Sequence, residues 1–245
     1  MLRTLQTLSG DREALKYRLL VESPFINWLN RAIRPRNWWV RLKTKETLQR
    51  ALSSGKPIKL NIGCGRTRLD DTWLHADIHR GDVYLDIFKP FPLPENSVNY
   101  IFSEHFIEHL PEAKMRQFWK ECHRVLKPGG WMRHSTPDME FLVKLYLGQV
   151  EGVDMDKFYD RIRHIRKETP HRCVYMNEVI HLWGHLFVYD ESYLTKVWQG
   201  AGFSEIRRTR FGESIESALS GLEQHSRVEW IQNGFTLILE AKKEK

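Results

Sequence analysis

Residues Lys59-Leu-Asn-Ile-Gly-Cys-Gly65 form a short apolar run that ends in two glycines. This pattern predicts a buried strand followed by a tight turn, because Gly63 and Gly65 have no Cβ and let a ligand approach the backbone. Fourteen residues after Gly63, the run Trp73-Leu-His-Ala-Asp77 ends in a carboxylate. An acidic residue at the end of the second strand commonly binds ribose hydroxyls in nucleotide-binding α/β sheets. The two features together favour a nucleoside-containing ligand, whereas a lone Gly-x-Gly usually marks only a turn.

The sequence from Ile58 onward alternates predicted strands with predicted helices, which indicates an α/β fold with a parallel sheet. Strands are predicted at residues 58–62, 73–77, 83–87, 98–103, 130–136, 205–210 and 235–241. The clearest helix runs from Pro111 to Leu126, where apolar residues recur on one face. A second helix is predicted from about Glu191 to Ala201. Only residues 66–73 connect the glycine turn to the second strand, so we expect a loop or about one turn of helix there.

Four motifs resemble those of class I S-adenosylmethionine-dependent methyltransferases. They are Leu60–Gly65, Asp77, Tyr84-Leu-Asp-Ile87 and Val125-Leu-Lys-Pro-Gly-Gly130. More narrowly, the chain resembles bacterial methyltransferases linked to polysaccharide and glycan modification. The segments that carry this narrower resemblance are Asp86–Ser97, Glu104–His109 and Arg124–Gly130. The resemblance is strong over residues 56–138 and looser over 181–241.

The resemblance implies a Rossmann-like class I methyltransferase sheet that is mostly parallel, with an antiparallel last strand. Residues 1–55 are then expected to be an N-terminal helical cap segment. Residues 56–245 are expected to form the S-adenosylmethionine-dependent methyltransferase domain. Within this domain, an insertion over about 139–188 is expected to form a helical lid over the active site.

The resemblance also implies S-adenosyl-L-methionine as the cofactor. Backbone amides of the glycine turn are expected to lie against it. Asp77 would accept hydrogen bonds from the ribose diol. Asp86 would meet the adenine amino group, with Ile78 and Ile87 flanking the ring. The predicted cofactor-binding residues are Asn61, Gly63, Cys64, Gly65, Asp77, Ile78, Asp86, Ile87 and Ser103.

Methyl transfer to a hydroxyl requires loss of a proton, and histidine suits that role near neutral pH. We predict His185 as the base, since the resembled enzymes carry a Gly-His-x-Phe-x-Tyr string over the acceptor pocket; the alternative is a histidine that positions the lid. Asp138 is predicted to orient the acceptor or assist the base, and the alternative is a helix N-cap. Glu104, which follows Ser103 at the end of the fourth strand, is expected to border the methionine tail and the methyl group. His185, Asp138 and Glu104 are thus the predicted catalytic residues.

Two pairs of histidines have a spacing of four residues, which suits metal binding on a helix. One pair is His105 and His109, and the other is His181 and His185. In the resembled family the first string serves as scaffold, so no metal ligands are assigned. Whether a metal assists through either pair is left open.

The bulk composition indicates a soluble globular protein. The chain has 245 residues with 41% hydrophobic and 28% charged residues. No apolar run approaches the ~18 residues that a membrane span requires, and the N-terminus lacks the apolar block of a signal peptide. The three cysteines, Cys64, Cys122 and Cys173, show no metal-ligand spacing and are expected to be reduced thiols. These features predict a cytoplasmic protein.

The net charge of +7 is unevenly distributed. Residues 31–50 hold seven basic residues and one acidic residue, interleaved with tryptophans. This segment is either a peripheral contact with the inner face of the membrane or a solvated helical cap. A second basic cluster between Asp138 and His181 favours an anionic or sugar-containing acceptor, or is a solvated helix face. We expect no nucleic-acid partner, since an Asn-Pro-Pro-aromatic or paired-cysteine signature is missing after the fourth strand, and the oligomeric state stays unknown.

These observations predict an S-adenosylmethionine-dependent methyltransferase. The expected reaction is O-methylation of a sugar hydroxyl on a bacterial glycan, glycolipid or related precursor, and the sugar assignment follows from the resemblance alone. One alternative is a small-molecule or natural-product methyltransferase. Another is a non-catalytic protein that binds S-adenosylmethionine.

Overall fold

In a computed structural model of the chain, the residues described are 35–154, 156, 171–181 and 184–244. The strands are β1 (Lys59–Ile62), β2 (Trp73–Asp77), β3 (Val83–Tyr84), β4 (Val98–Glu104), β5 (Leu126–Pro137), β6 (Phe203–Arg208) and β7 (Thr236–Lys243). The α-helices are α1 (Pro35–Ser53), α2 (Glu112–Val125), α3 (Met139–Tyr146), α4 (Arg172–His181) and α5 (Glu191–Gly200). Short 3₁₀ turns lie at Ile107–His109 and Ser217–Leu219, and a π-helical turn at Ile231–Phe235 precedes β7.

The strands form one seven-stranded sheet in the order β3-β2-β1-β4-β5-β7-β6. Strands β1 to β5 pair in parallel, and β7 runs antiparallel to both β5 and β6. A mostly parallel sheet with a reversed last strand is the Rossmann-like arrangement that the sequence predicts. The predicted fold class is confirmed.

The strand order reverses direction at β1, and this reversal positions the functional site. The chain builds outward from β1 to β2 and β3, and then crosses back to place β4 on the other side of β1. In open α/β sheets, ligands bind in the crevice at the carboxyl ends of the strands where this reversal occurs. The glycine turn after β1 and residue Glu104 at the end of β4 therefore face the same crevice.

Most predicted elements lie where the sequence puts them, and α2 buries its predicted face. Met115, Phe118, Cys122 and Val125 are all buried on this helix. The connection over residues 66–73 contains turns but no helix, as its length predicts.

Strands β3 and β5 differ most in length from the prediction. Strand β3 ends at Tyr84, although residues 83–87 were predicted, because the chain turns at Asp86, whose side chain accepts a hydrogen bond from the amide of Phe88. Strand β5 begins at Leu126 instead of 130, since the chain continues through Gly129 at φ 82° directly from the end of α2. The glycines therefore shape the start of a strand as well as the end of a helix.

Helix α1 packs beside β3 at the edge of the sheet. The hydroxyl of Thr44 accepts a hydrogen bond from the amide of Tyr84 at 2.8 Å, and the guanidinium of Arg41 lies 4.3 Å from the centre of the Tyr84 ring. Trp38 and Trp39 are each 57% exposed on this helix, so more than half of each side chain faces solvent. The membrane-contact interpretation of this segment stays a prediction, and residues 1–34 lie outside the described residues, as does most of the basic cluster at 155–170.

Among the described helices, every one is too short or too polar to cross a bilayer. The division into a cap segment, a domain and a lid at 139–188 also stays a prediction. Within the predicted lid, α3 and α4 are helical.

A neutral histidine lies in the aromatic core beneath the sheet. His134 on β5 has no exposed surface, and the ring centroids of Trp119 and Trp198 lie 4.9 and 5.6 Å from its own. Among the described residues, neither ring nitrogen has a hydrogen-bond partner. Burial lowers the pKa of His134 from 6.5 to about 3, so the folded protein keeps this imidazole uncharged.

Acidification is therefore expected to destabilise the protein through His134. Between pH 6.5 and about 3, the unfolded chain binds a proton on His134 that the folded chain does not. The free energy of unfolding therefore does not depend on this residue above pH 6.5 and decreases as the pH falls below it. The loss is about 1.4 kcal/mol per pH unit for one such group. In urea unfolding at neutral and mildly acidic pH, His134→Leu should flatten this dependence, whereas His181→Ala, at an exposed position, should not. An equal pH slope in wild type and His134→Leu would refute the assignment.

Candidate functional site

A cavity of about 810 Å³ opens at the carboxyl ends of β1 and β4. Its volume is in the range of small-molecule and cofactor sites. One wall is the glycine turn, another is the segment that follows β4, and a third comes from the connection between β6 and β7. The lining residues are Asn61, Gly63, Cys64, Gly65, Arg66, Thr67, Phe102, Glu104, His105, Glu108, His109, His185, His225, Ser226, Trp230, Ile231 and Phe235.

The two glycines of the turn are required for different reasons. Both adopt a left-handed backbone, with φ 70° at Gly63 and φ 51° at Gly65, which disfavours other residues. A Cβ on Gly63 would lie 2.2 Å from a ring carbon of Phe106, whereas a Cβ on Gly65 would meet open space. Gly63 is therefore required by both the backbone and a packed aromatic ring, and Gly65 by the backbone alone.

The amides of the glycine turn form hydrogen bonds within the protein. The amide of Gly63 donates to the carbonyl of Ala76 at 2.8 Å, and that of Gly65 donates to the Asp77 carboxylate at 3.2 Å. The amide of Cys64 points to the same Ala76 carbonyl at 3.4 Å. The turn is thus held against β2. Its backbone amides are used in these hydrogen bonds, and the turn contributes the shape of the cavity wall.

Asp77 organises this corner of the site. One carboxylate oxygen accepts hydrogen bonds from the amides of His79 and Arg80, and the other accepts from Gly65. A carboxylate has about four acceptor positions, so the oxygen bonded to Gly65 keeps room for one further donor. The predicted ribose contact therefore fits the hydrogen-bonding capacity of this side chain.

The predicted adenosine-side residues meet in a second, smaller cavity of about 60 Å³. Gly63 borders both cavities, and the ring of Phe106 lies against it. The small cavity is lined by Ile62, Gly63, Asp77, Ile78, Leu85, Asp86, Ile87, Phe88, Phe106 and Leu110. Asp77, Ile78, Asp86 and Ile87, which lie at and just after the ends of β2 and β3, thus line one cavity beside the glycine turn.

Cys64 lines the main cavity, but its thiol is expected to be unreactive near neutral pH. Burial, together with the charge of Asp77, raises its pKa from 9.0 to about 12. The thiolate is the reactive form, so this cysteine stays protonated near neutral pH. Its position supports a packing role beside the turn.

Glu104 lines the cavity and fixes the wall opposite β1. Its carboxylate accepts hydrogen bonds from the amides of Gln224 and His225, both on the connection between β6 and β7. Burial raises the pKa of Glu104 despite these bonds. The side chain therefore anchors a loop as well as facing the predicted methyl-transfer region.

His185 also lines the cavity and is 4% exposed. Burial lowers its pKa to about 4, although the nearby Glu108 opposes this effect. The imidazole is therefore neutral near pH 7 and has a ring nitrogen able to accept a proton. The amides of the next two residues, Leu186 and Phe187, donate to the carbonyl oxygen of Glu108 at 2.6 and 3.1 Å, which fixes His185 at the cavity wall.

Asp138 and Ser103 lie away from the cavity, in contrast to their predicted roles. Asp138 caps α3 through the amide of Glu140 and forms an ion pair with Arg208 at 2.7 Å. Ser103 has no exposed surface and does not line either cavity described above. For Asp138, the structure has the N-cap arrangement that the sequence offered as an alternative.

Several lining residues were not predicted. Glu108 and His109 belong to the Glu104–His109 string, so their spacing was visible, but the sequence does not show which side chains point inward. His225, Ser226 and Trp230 come from the connection between β6 and β7, about 120 residues along the chain from Glu104. No local pattern marks these three residues as part of a site.

A buried arginine holds this connection in place. Arg133 on β5 has no exposed surface and pairs with the carboxylates of Glu223 and Glu240. Its remaining donors reach the carbonyl oxygens of Arg210 and Glu213 at 3.1 and 2.7 Å. Because all of its partners except Glu240 lie on the connection, Arg133 fixes the loop that supplies His225 and Ser226 to the cavity.

The sheet order and the glycine turn agree with the predicted resemblance to class I methyltransferases, and a family comparison supports that resemblance. Residues 65–133 match the family model described as "Methyltransferase domain". The matched segment begins at the glycine turn and extends through β4 into β5. This match over part of the chain supports the predicted class I methyltransferase domain and its expected cofactor, S-adenosylmethionine.

Two characterised relatives are similar to part of this chain. A probable S-adenosylmethionine-dependent methyltransferase of Mycolicibacterium smegmatis is 40% identical over 63 residues, which are 26% of this chain and 22% of the relative. Malonyl-acyl-carrier-protein O-methyltransferase 1 of Coxiella burnetii is 30% identical over 90 residues, which are 34% of this chain and 31% of the relative. The chain thus matches a third or less of the length of these relatives.

Solved structures with similar folds cover most of the chain. A SAM-dependent methyltransferase from Archaeoglobus fulgidus is 15% identical, covers 84% of this chain and 94% of its own, and has a TM-score of 0.46. A SAM-dependent methyltransferase from Thermotoga maritima, described as a possible histamine N-methyltransferase, is 14% identical, covers 94% and 99%, and has a TM-score of 0.45.

Removal of the Arg133 charge is expected to destabilise the protein strongly. Arg133→Met would leave two buried carboxylates without their partner, a change that typically costs about 3–5 kcal/mol. Arg50→Met is the matched control, because Arg50 pairs with Glu46 at 3.5 Å with both side chains about 70% exposed, and such pairs contribute about 0–1 kcal/mol. Urea unfolding of both variants measures the difference. Equal midpoints would show that the Arg133 network does not hold the connection.

Proposed function

We propose that this protein transfers the methyl group of S-adenosylmethionine to a hydroxyl group. The observation that carries the proposal is the pair of cavities that meet at Gly63. The smaller one holds two carboxylates and apolar side chains suited to a nucleoside, and the larger one holds imidazoles and carboxylates suited to a polar acceptor. A protein that joins two substrates needs this adjacency, because transfer requires the reacting atoms to approach within about 3–3.5 Å.

The residues around Gly63 fit the nucleoside part of the cofactor. Asp77 has one free acceptor position for a ribose hydroxyl, and Asp86 is buried beside Ile87. The small cavity of about 60 Å³ holds about two water volumes. An adenine ring is larger, so its binding there requires side chains that line this cavity to move apart.

S-adenosylmethionine supplies a methyl group on a sulfonium, which is already an activated leaving group. The protein therefore has to align the acceptor oxygen, exclude water and remove one proton. His185 accepts this proton at a ring nitrogen, which is neutral near pH 7 because of burial. Glu104, at the end of β4, lies on the same cavity wall and keeps the loop over the site closed through Gln224 and His225.

A sugar hydroxyl on a bacterial glycan, glycolipid or related precursor is the proposed acceptor. The polar lining of the large cavity suits such a group, and Trp230 supplies an aromatic surface of the kind that sugars stack on. The glycan assignment itself rests on the sequence resemblance. A small polar metabolite is the rival acceptor, and a panel of both substrate classes with labelled S-adenosylmethionine separates them.

Asp77→Asn is expected to weaken binding of the demethylated cofactor, S-adenosylhomocysteine, by about 10-fold. The substitution removes the negative charge that strengthens the hydrogen bond to the ribose. A tenfold change in affinity corresponds to about 1.4 kcal/mol of binding free energy. Asp71→Asn, at an exposed position outside both cavities, is the matched control. Isothermal titration calorimetry measures both. Equal affinities in the two variants would remove Asp77 from the cofactor site.

His185→Ala is expected to reduce methyl transfer about 100-fold while S-adenosylhomocysteine affinity changes little. General acid–base catalysis typically contributes 10²–10⁴-fold, and loss of the imidazole removes it. His181→Ala serves as the control, because this exposed histidine at the end of α4 does not line the cavity. Full turnover in His185→Ala would exclude the base role. Binding of the cofactor without transfer to any acceptor, in wild type, would favour the non-catalytic alternative.

A further inference from the structure

We infer that Glu108, His109 and His185 bind a divalent transition-metal ion, with zinc as the expected metal. One potential ligand atom from each side chain lies within 4.8 Å of the other two. All three side chains line the main cavity. Two imidazoles and one carboxylate are a ligand set that zinc uses in catalytic sites with three protein ligands.

The fold selects these three residues from two separate histidine pairs. The sequence spacing pairs His105 with His109 and His181 with His185, but the structure joins one histidine of each pair. The carbonyl oxygen of Glu108 accepts hydrogen bonds from the amides of Leu186 and Phe187, so the two segments are clamped together. The rings of His109 and His185 consequently lie 5.0 Å apart at 68°.

The distances suit a site that contracts slightly around an ion. Zinc lies about 2.0–2.2 Å from imidazole nitrogen and carboxylate oxygen, so two ligands in a tetrahedron are about 3.4 Å apart. The ligand atoms now lie at most 4.8 Å apart. Side-chain rotations that shift these atoms by about 1 Å would bring them to the separation that a zinc ion requires. Three protein ligands leave a fourth position open, and this position faces the cavity because all three residues line it.

Neighbouring groups orient the carboxylate as they do around established metal ligands. His105 Nδ1 lies 3.0 Å from one oxygen of Glu108, and the hydroxyl of Thr136 donates to the other at 3.2 Å. Each oxygen keeps a further acceptor position for an ion. Such outer contacts fix the geometry of ligating side chains.

Burial gives an independent reason to expect a cation. Glu108 has no exposed surface, and a carboxylate in that position needs compensation. His105 and Thr136 satisfy this carboxylate in part. A bound dication would supply the electrostatic stabilisation that the carboxylate loses when it is buried away from water. A purely structural hydrogen-bond cluster is the competing explanation, and it predicts no metal uptake.

The inference has a consequence that rests on the proposed function. An acceptor oxygen at the open position would lose its proton more readily, because a bound divalent metal lowers the pKa of oxygen ligands. In the metal-bound form His185 would be a ligand, so the acceptor's proton would pass to solvent and not to His185; the O–CH₃ bond would form, the S–CH₃ bond would break, and the sulfonium would become a neutral thioether. His185 would then affect the acceptor as a ligand of the ion that binds the acceptor oxygen. Acceptors with two adjacent oxygens, such as a sugar diol, would bind best.

Metal uptake tests the site directly. The full-length protein is purified without added metal, treated with a chelator, and titrated with zinc chloride by calorimetry, with metal content measured by mass spectrometry. We expect one zinc ion per chain and a change in the visible spectrum when Co²⁺ replaces zinc. Glu108→Gln, His109→Ala and His185→Ala should each weaken binding at least 100-fold. His181→Ala, at an exposed position outside the cluster, should bind as wild type does.

Two further measurements keep the outcome decisive. Because a change at buried Glu108 can prevent folding, His109→Ala, at a half-buried position, is the variant on which the conclusion depends. Zinc should raise the Tm of wild type but not of His109→Ala. Zinc uptake that is equal in wild type and His109→Ala, or absent from both, would overturn the site.

Titration with S-adenosylhomocysteine in chelator separates this inference from the proposed function. Cofactor binding without zinc binding overturns the metal site and leaves methyl transfer standing, with His185 as a direct base. Zinc binding without cofactor binding supports the metal site and contradicts the methyltransferase proposal. Full methyl transfer by chelated, metal-free protein would likewise exclude a catalytic role for the ion.

Discussion

The buried carboxylate of Glu108 is the constraint on which the site depends. A charge without exposed surface must be satisfied by its neighbours, and here the neighbours come from three parts of the chain. His105 precedes it in the turn after β4, Thr136 lies on β5, and the backbone of the same residue holds the segment after His185. One residue thus ties a strand end, a neighbouring strand and the predicted lid around a single space.

Arg133 is a second buried charge, and it fixes the cavity wall that the connection between β6 and β7 forms. Its guanidinium is enclosed by two carboxylates and two carbonyl oxygens, so the long connection between β6 and β7 has one favourable position. That position brings His225 beside His105, with ring centroids 3.7 Å apart. The cavity is therefore framed by two buried charged side chains: Glu108, which is hydrogen-bonded to His105 and Thr136, and Arg133, which is paired with two carboxylates. Loops that would otherwise be mobile become walls of defined shape.

The sequence predicted the parts of this architecture that depend on neighbouring residues. The Gly63 turn, the face of α2 and the acidic ends after β2 and β3 each have a local signature. Contacts across long stretches of chain had none, so the role of His225 was missed. The sequence left two roles open for Asp138, and it could not show the ion pair of this residue with Arg208, which lies 70 residues away.

The distribution of thiols makes the predicted lid accessible to spectroscopy. Cys64 and Cys122 are buried, and burial raises the pKa of both, whereas Cys173 is exposed on α4. A maleimide dye added to the native protein should therefore attach at one position, on the helix that leads to the cavity-lining His185. The wild-type chain therefore offers one accessible thiol for a fluorescent label, and the emission of that label can report whether the surroundings of α4 change when ligands bind.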